Sequence, residues 1–237
     1  MTTGLAGLLF AASLHASYDG TVTMSGGPNQ VDVGGEFTAA ANANANSVGL
    51  GTFQTFCIED SEMIGLGPNY YYRINTGAIA GGVSGVDAVD AATGLPKDNI
   101  SIGTAWLYSQ FRAGTLAGYT AGLPANAGVL QDAIWMLEGE YGPTATIHAY
   151  DPTNPYLVAA RAALGMTDAQ LQADSNGAYG VVALNLYTSL DQNGNPTGLA
   201  QDQLGIVPEP TTMIAGALLL LPFGASTLRV LRKNRVG

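Results

Sequence analysis

Hydrophobic residues in the middle of the chain recur at helical spacing and predict a group of helices. Leu130, Ile134 and Leu137 stand at i, i+4 and i+7 with no Gly or Pro between them, which places them on one helix face. Pro124 and Asn126 provide a start for this helix, and Gly139 provides a stop. Further helices are predicted over residues 102–113, over 155–164 and in a short stretch after Thr167.

Short segments of alternating or β-branched residues lie before and after the helices and predict strands. Gly34-Gly35 separates two early segments as a turn, and Asn193-Gly194 joins the last two as a hairpin. The Ala and Asn residues of 41–46 predict a loop, and the Gly-rich segment 77–98 predicts irregular structure. The predicted strands cover residues 21–24, 30–33, 36–39, 48–58, 70–74, 178–187 and 199–206. This order of strands, helices and strands is typical of an α+β domain.

Composition and charge favour an extracellular domain and argue against a protein that binds nucleic acid. The chain of 237 residues is 47% hydrophobic and only 11% charged, and its 32 glycines favour a loop-rich extracellular domain. Its formal net charge is −10, and four of its eight basic residues lie in the last nine positions. An acidic body of this kind argues against nucleic-acid binding and favours attraction to amine-bearing partners.

The sequence predicts neither a metal site nor a cofactor. It contains two His residues, His15 and His148, and no cluster of His, Cys and carboxylates at ligand spacing. The acidic run at 59–62 and the segment 191–195 offer oxygen ligands for Ca²⁺, but neither matches a complete calcium loop. Cys57 is the one cysteine, which excludes an intramolecular disulfide.

Two short blocks carry the most specific signal in the body of the chain. The first is Phe-Cys-Ile-Glu at residues 56–59, and the second is Gln-Asp-Ala-Ile-Trp at residues 131–135. Together they resemble the thioester domains of bacterial surface adhesins, and the segment 103–108 resembles the aromatic helix between the two blocks of that family. The resemblance covers approximately residues 50–140. It implies a β sandwich or barrel with a helical insert, in which the Cys and Gln side chains condense into an internal thioester.

That chemistry assigns a role to each residue. The Cys57 sulfur attacks the Gln131 carboxamide carbon, ammonia leaves, and the acyl thioester can then pass its acyl group to a lysine amine of another molecule. The bond must be protected from water, and the aromatic residues Phe56, Trp106 and Trp135 are predicted to shield it. Each molecule reacts once, so the resemblance implies an adhesion or matrix-anchoring protein and not a turnover enzyme.

The C-terminal segment 207–237 has three parts. Pro208-Glu209-Pro210 precedes an uncharged stretch over 211–228, and an Arg-rich end follows. As a helix, that stretch would span about 27 Å, close to the thickness of a bilayer core. The arrangement resembles the PEP-CTERM sorting signal of Gram-negative bacteria. The resemblance implies export, membrane anchoring through a hydrophobic helix, and processing by an exosortase-type protease, whereas a simple tail anchor is the alternative.

The N-terminus is consistent with export. An apolar run over 5–14 is followed by His-Ala-Ser, as at the end of a signal peptide, although no Lys or Arg precedes the run. Three segments are therefore predicted: a leader over 1–17, an α+β thioester-like domain over 18–206, and the sorting segment over 207–237. The expected location is the cell envelope or the cell surface.

Two other functions fit the same residues. A structural protein of a surface matrix could keep Cys57 as a free, buried side chain with no chemistry. A hydrolase could pair Cys57 with His148, although Cys57 lies in a strand pattern and not at a helix N-terminus that would lower its pKa. The side chain that lies beside the Cys57 sulfur distinguishes these functions. Gln131 beside the sulfur would indicate the thioester, and His148 beside it would indicate the hydrolase.

Overall fold

A computed structural model of the protein describes residues 18–31, 34–44, 49–80, 82 and 87–207. Within these ranges the chain forms antiparallel β-sheets and four α-helices, so the predicted α+β class is confirmed. No helix in the described ranges is long and apolar enough to cross a membrane. The predicted leader over 1–17 lies outside them, as do Pro208-Glu209-Pro210 and the predicted C-terminal hydrophobic helix.

Nine strands in the described ranges form two antiparallel sheets. In chain order they are β1 (Gly20–Val31), β2 (Gly34–Ala43), β3 (Gly51–Thr55), β4 (Asn69–Asn75), β5 (Gly77–Ile79), β6 (Ala88–Val89), β7 (Pro96–Asn99), β8 (Val181–Leu190) and β9 (Pro196–Ile206). The main sheet has the order β3-β2-β1-β4-β8-β9, and the small sheet has the order β5-β7-β6. The strands at the two edges of the main sheet are therefore β3 and β9.

The segment that follows β3 joins these two edges. The Ile58 N–H donates to the Asp202 carbonyl at 3.1 Å, and the Leu204 N–H donates to the Phe56 carbonyl at 3.1 Å. Between these bonds, Cys57 lies opposite Gln203 of β9 in an antiparallel bridge. The continuation of one edge strand is thus hydrogen-bonded to the other edge strand.

The helices lie where the hydrophobic spacing predicts them. They are α1 (Ile102–Ala113), α2 (Pro124–Leu137), α3 (Pro155–Leu164) and α4 (Asp168–Leu171). The side chain of Ser101 caps α1 by accepting a hydrogen bond from the Thr104 N–H, and Gly114 ends this helix in the left-handed conformation. Asn154 and Gly165 cap α3 in the same way. The bounds predicted for α1 and α3, and the start predicted for α2, are confirmed.

Helix α2 separates two clusters of buried side chains. Leu130, Ile134 and Leu137 belong to a cluster shared mainly with the other helices, which we call the helical cluster. Trp135 belongs to a second cluster, formed mainly by residues of the main sheet and including Cys57, which we call the sheet cluster. Gln131, which lies beside the apolar stripe in the sequence, is buried as well. The helix therefore brings its polar side chain into the interior.

Several strand predictions were wrong. β2 continues to Ala43 because residues 41–43 pair with the start of β1, so the loop predicted over 41–46 begins too early. The continuous strand predicted over 48–58 is also wrong, because β3 ends at Thr55 and Cys57 makes only an isolated bridge. The segment 77–98, predicted as irregular, contributes to the small sheet.

Candidate functional site

The Gln131 side chain and the Cys57 main chain form a pair of hydrogen bonds. The Gln131 Nε2 amide donates to the Cys57 carbonyl at 2.8 Å, and the Cys57 N–H donates to Gln131 Oε1 at 3.0 Å. Both residues are 1% exposed. Helix α2 thus brings its Gln against the segment that follows β3, and the two residues of the predicted pair lie next to each other.

The Cys57 backbone is able to bond this amide because of its place in the sheet. Cys57 and Gln203 stand between two flanking hydrogen bonds, which is the arrangement of a non-hydrogen-bonded antiparallel pair. In such a pair, the N–H and C=O groups of each residue point away from the partner strand. The polar backbone groups of Cys57 therefore face away from β9, and the Gln131 amide meets them there.

The carboxamide occupies an opening between β2 and the chain after β3. The last residue pair formed between β2 and β3 is Phe37 with Thr55. If the same register continued, Gly35 would lie opposite Cys57. Instead, the Gly35 N–H donates to Gln131 Oε1 at 3.3 Å, and this oxygen is the one that accepts from the Cys57 N–H. The side chain of Gln131 therefore takes the place of a strand-to-strand pairing.

Two glycines permit this close approach. A Cβ atom on Gly34 would lie 2.8 Å from Gln131 Cγ and 3.0 Å from the Trp135 ring, so a larger residue would displace one of them. Gly35 has a φ of +99°, a conformation that favours glycine. The sequence predicts a turn at Gly34-Gly35. It predicts neither the close approach of Gln131 and Trp135 to Gly34 nor the hydrogen bond from the Gly35 N–H to Gln131. The available signal was the glycine pair itself, since Gly beside a strand also marks a close backbone approach.

The Gln131 carboxamide oxygen accepts hydrogen bonds from two main-chain N–H groups. In acyl transfer, a carbonyl oxygen becomes an oxyanion in the tetrahedral intermediate, and fixed N–H donors lower the barrier to that step. The N–H groups of Cys57 and Gly35 lie 3.0 and 3.3 Å from Oε1 in the unreacted carboxamide. Donors in these positions would stabilise negative charge on Oε1 if a nucleophile attacked the Gln131 carboxamide carbon.

The Cys57 sulfur lies in a buried environment with acidic neighbours. Burial raises the pKa of the thiol to about 12, a hydrogen bond from Gln203 partly opposes this rise, and the carboxyl groups of Glu59 and Asp60 add to it. The Gln203 Nε2 amide donates to Cys57 Sγ at 3.5 Å. Cys57 is therefore a protonated thiol at neutral pH, and its thiolate is a poor leaving group.

The three aromatic residues predicted to shield the thioester belong to, or pack against, two different clusters of buried side chains. Trp135 is buried in the sheet cluster together with Cys57. Phe56 is buried in the helical cluster, where its ring meets Phe111 edge-on at a centroid distance of 5.0 Å. Trp106 is half-buried and packs against the helical cluster. Of the three aromatics, Trp135 is the one that shares a cluster with the sulfur.

Buried carboxyl groups lie beside the Cys57 segment. Asp202 accepts hydrogen bonds from the Ile79 and Leu186 N–H groups, at 2.7 and 3.0 Å, and from the Asn185 amide at 2.6 Å. Burial raises the pKa of Glu59 well above its usual value, and the Asp202 charge raises it further. Within the described ranges, no group of three or more His, Cys, Asp or Glu side chains could hold a metal ion.

Two alternatives raised by the sequence involve other parts of the surface. In the segment 191–195, the Asp191 carboxylate accepts from the N–H groups of Asn193 and Asn195 and so stabilises a turn. His148 is exposed, whereas Cys57 is buried with a raised thiol pKa. A hydrolase needs an accessible thiolate, so these features do not favour a Cys57–His148 pair.

A comparison of the chain with protein-family models, curated proteins and solved structures finds no match.

Proposed function

We propose that Cys57 and Gln131 form an internal thioester, through which this protein attaches covalently to an amine-bearing surface or matrix component. The observation that carries the proposal is the buried Gln131 carboxamide, which pairs with the Cys57 backbone and accepts two main-chain N–H groups on its oxygen. The resemblance of the two sequence blocks to adhesin thioester domains supports the same pair of residues.

Formation of the thioester would preserve most of the contacts at the site. The Cys57 sulfur bonds to the Gln131 carboxamide carbon, the carbon–nitrogen bond breaks, and the thiol proton leaves with the nitrogen in ammonia. Loss of Nε2 removes its hydrogen bond to the Cys57 carbonyl, whereas Oε1 keeps the N–H donors of Cys57 and Gly35. The donors that favour attack on the carboxamide are therefore available to the product carbonyl.

Attachment to a target uses the same carbonyl a second time. A lysine amine attacks the thioester carbon, the carbon–sulfur bond breaks, and the proton of the amine passes to the Cys57 sulfur. Burial of Cys57, Gln131 and Trp135 keeps water from the bond at rest. The target amine reaches the bond when the surrounding chain opens locally. Each molecule forms one isopeptide bond and does not turn over.

The same proposal includes a fold and a location. The hydrogen bonds between residues 56–58 and β9 support a barrel with joined edges, and the helices between β7 and β8 support a helical insert within the domain over 18–206. The composition of the sorting segment 207–237 supports export to the cell envelope. We propose that this segment anchors the chain in the membrane until an exosortase-type protease removes it.

A structural role without covalent chemistry is the second candidate. The Gln131 amide has main-chain partners at both its oxygen and its nitrogen, so its main hydrogen-bonding needs are met in the unreacted state. Under this alternative, Gln131 would connect α2 to the sheet, and Cys57 would remain a free buried thiol in a matrix protein.

Labelling with methylamine separates the two candidates. If the thioester forms, peptide mapping should locate the label at Gln131 and find one new free thiol at Cys57. The variants Cys57→Ala and Gln131→Ala should each abolish labelling, whereas Gln201→Ala, at a buried glutamine of β9, should label like the wild type. A wild-type protein that takes no label and has a free thiol would support the structural role.

A further inference from the structure

A second buried glutamine lies at the Cys57 sulfur. Gln203 is 0% exposed, stands opposite Cys57 in the antiparallel bridge, and donates from Nε2 to Cys57 Sγ at 3.5 Å. Side chains of a non-hydrogen-bonded antiparallel pair lie closer together than those of other pairs. The pairing of β9 with the segment 56–58 therefore fixes the Gln203 amide beside the sulfur.

The Gln203 amide is only partly satisfied by the protein. Its Nε2 reaches one further acceptor, the Gln201 carbonyl at 3.4 Å, but its Oε1 is buried without a hydrogen-bond partner among the described residues. An unpartnered buried oxygen destabilises a fold, and an apolar side chain of the same length would avoid that cost. Packing alone therefore does not account for a glutamine at this position.

We infer that Gln203 is a positioning residue for the thioester chemistry, whose amide donates to the Cys57 sulfur when negative charge develops there. The inference rests on the proposed function. The sulfur carries negative charge when it attacks the Gln131 carbon, and again when a target amine displaces it from the thioester. Hydrogen bonds to charged acceptors are stronger than those to neutral ones, so the Gln203 donor favours both of these states over the neutral thiol.

The charges around the sulfur make such a donor important. Glu59 and Asp60 both disfavour a negative sulfur. The Gln131 amide bonds the Cys57 main chain, so it is engaged with the backbone of this residue. Gln203 approaches from the opposite strand and supplies an N–H group to the sulfur itself.

Three variants test this role. Gln203→Met keeps the length of the side chain and removes the donor, and Gln203→Leu removes the donor with a shorter apolar side chain. Gln201→Met is the matched control, because Gln201 is a buried glutamine on the same face of β9 whose amide donates to the Glu59 carbonyl at 2.8 Å. Each protein is refolded from denaturant at several pH values, and thioester formation is followed by the loss of mass with time.

Gln203→Met should form the thioester about tenfold more slowly than the wild type, the factor that one hydrogen bond to a charged group supplies. Its pH–rate profile should shift by about one unit towards higher pH, because the thiolate is less favoured. Its melting temperature should be unchanged or higher, because an unpartnered amide oxygen is removed. A structural role would instead lower the melting temperature and leave the pH profile in place. Gln201→Met should keep the wild-type profile.

A Gln203→Met protein with the wild-type rate and pH profile would overturn the inference. If this variant does not fold, Gln203→Leu decides, since it also lacks the amide donor, and a wild-type rate would again overturn the role. The mass of the wild type tests the proposed function separately. If no thioester forms in the wild type, the proposed function fails and the inference fails with it.

Discussion

At the residue scale, the Gln131 oxygen takes both of its donors from the main chain. Cys57 points its N–H away from β9 because it belongs to a non-hydrogen-bonded pair, and Gly35 presents its N–H from a left-handed conformation. Main-chain donors are held by the sheet and need little rearrangement as charge develops on the oxygen. Under the proposed thioester chemistry, the reactivity of the Gln131 carboxamide should therefore depend on the backbone conformation at Gly35 as much as on the Cys57 and Gln131 side chains.

The change Gly35→Ala tests this dependence. A Cβ atom at a φ of +99° is strained and should turn the N–H away from Oε1, so thioester formation should slow by about a hundredfold, as on loss of one oxyanion donor. Gly51→Ala is the matched control, because Gly51 also has a positive φ, of +66°, and a Cβ atom added there would meet no atom within 4 Å. Formation rates measured by mass should fall for Gly35→Ala only. Equal rates in both variants would contradict the role of the Gly35 donor.

The sequence could predict that Cys57 and Gln131 lie together, but not what surrounds them. Cys57 and Gln131 stand in two short blocks whose residue types resemble a known chemistry. Gly35 and Gln203 were missed as site residues because their roles depend on which backbones meet in the folded sheet. Nothing in their local sequence distinguishes a donor to an oxygen, or a partner of a sulfur, from an ordinary turn or strand residue.

At the element scale, α2 is tied to the rest of the fold along its length. Gln131 bonds to the sheet, while Glu138 at its C-terminal end accepts from the Ser101 N–H at 3.2 Å and from the Ser101 hydroxyl at 2.7 Å. Ser101 is also the N-cap of α1, so one residue connects the two helices. Burial raises the pKa of Glu138 to about 7, although hydrogen bonds from Thr104 and Ser101 oppose the rise.

The raised pKa of Glu138 predicts that stability falls as the pH rises towards neutrality. The unfolded chain releases this proton at about pH 4.5, whereas the folded protein keeps it until about pH 7. The folded state therefore binds more protons in this window, and the free energy of unfolding decreases through it by up to about 3 kcal/mol. The stabilisation due to the raised pKa of Glu138 is complete below the pKa of this group in the unfolded chain. It is lost as the pH rises through the pKa of Glu138 in the folded protein. Urea unfolding at several pH values measures the slope.

Glu138→Gln should reduce that slope, because its amide does not titrate. The exposed carboxylate of Asp151 has a lowered pKa, so Asp151→Asn should leave the slope in this window unchanged. Burial raises the pKa of Asp98 to about 9, so the free energy of unfolding of every variant should continue to fall at higher pH. An undiminished slope in Glu138→Gln would show that Glu138 is not its source.

The helices could be predicted with their bounds, and the strands could not. The signals that begin and end α1 and α3 are local, as in the caps Ser101, Gly114 and Asn154. The end of β3 at Thr55 is instead set by a distant part of the chain, because the Gln131 side chain occupies the next pairing position. Strand register depends on long-range partners of this kind, which a single sequence does not display.

At the scale of the whole molecule, the proposal combines an attachment domain with signals for export. The acidic body, with a net charge of −10 for the complete chain, favours approach to amine-bearing targets. The basic residues at the C-terminus belong to the segment that we propose to be removed. Processing would therefore release a more acidic protein that carries the Cys57–Gln131 site.

The sorting proposal predicts the mass of the mature protein. The form recovered from the cell surface should end near Pro210, because an exosortase-type protease would cleave at the Pro208-Glu209-Pro210 motif. A variant with Pro208→Ala, Glu209→Ala and Pro210→Ala should retain the tail and stay in the membrane fraction. Intact-mass measurement of both forms checks this. A surface form of the wild type that still contains residues 229–235 would indicate a simple anchor.

The intact mass of the folded wild-type domain tests the central claim most directly. Condensation of Cys57 with Gln131 releases ammonia, so the domain should weigh about 17 Da less than its sequence, and Cys57→Ala should show no deficit. Methylamine should convert the wild type to a species about 14 Da heavier than its sequence, with one free thiol. A mass about 1 Da above the sequence, with Glu in place of Gln131, would show that a bond formed and was hydrolysed. A wild-type domain of full sequence mass, with a titratable Cys57 thiol and no reaction with methylamine, would contradict the account.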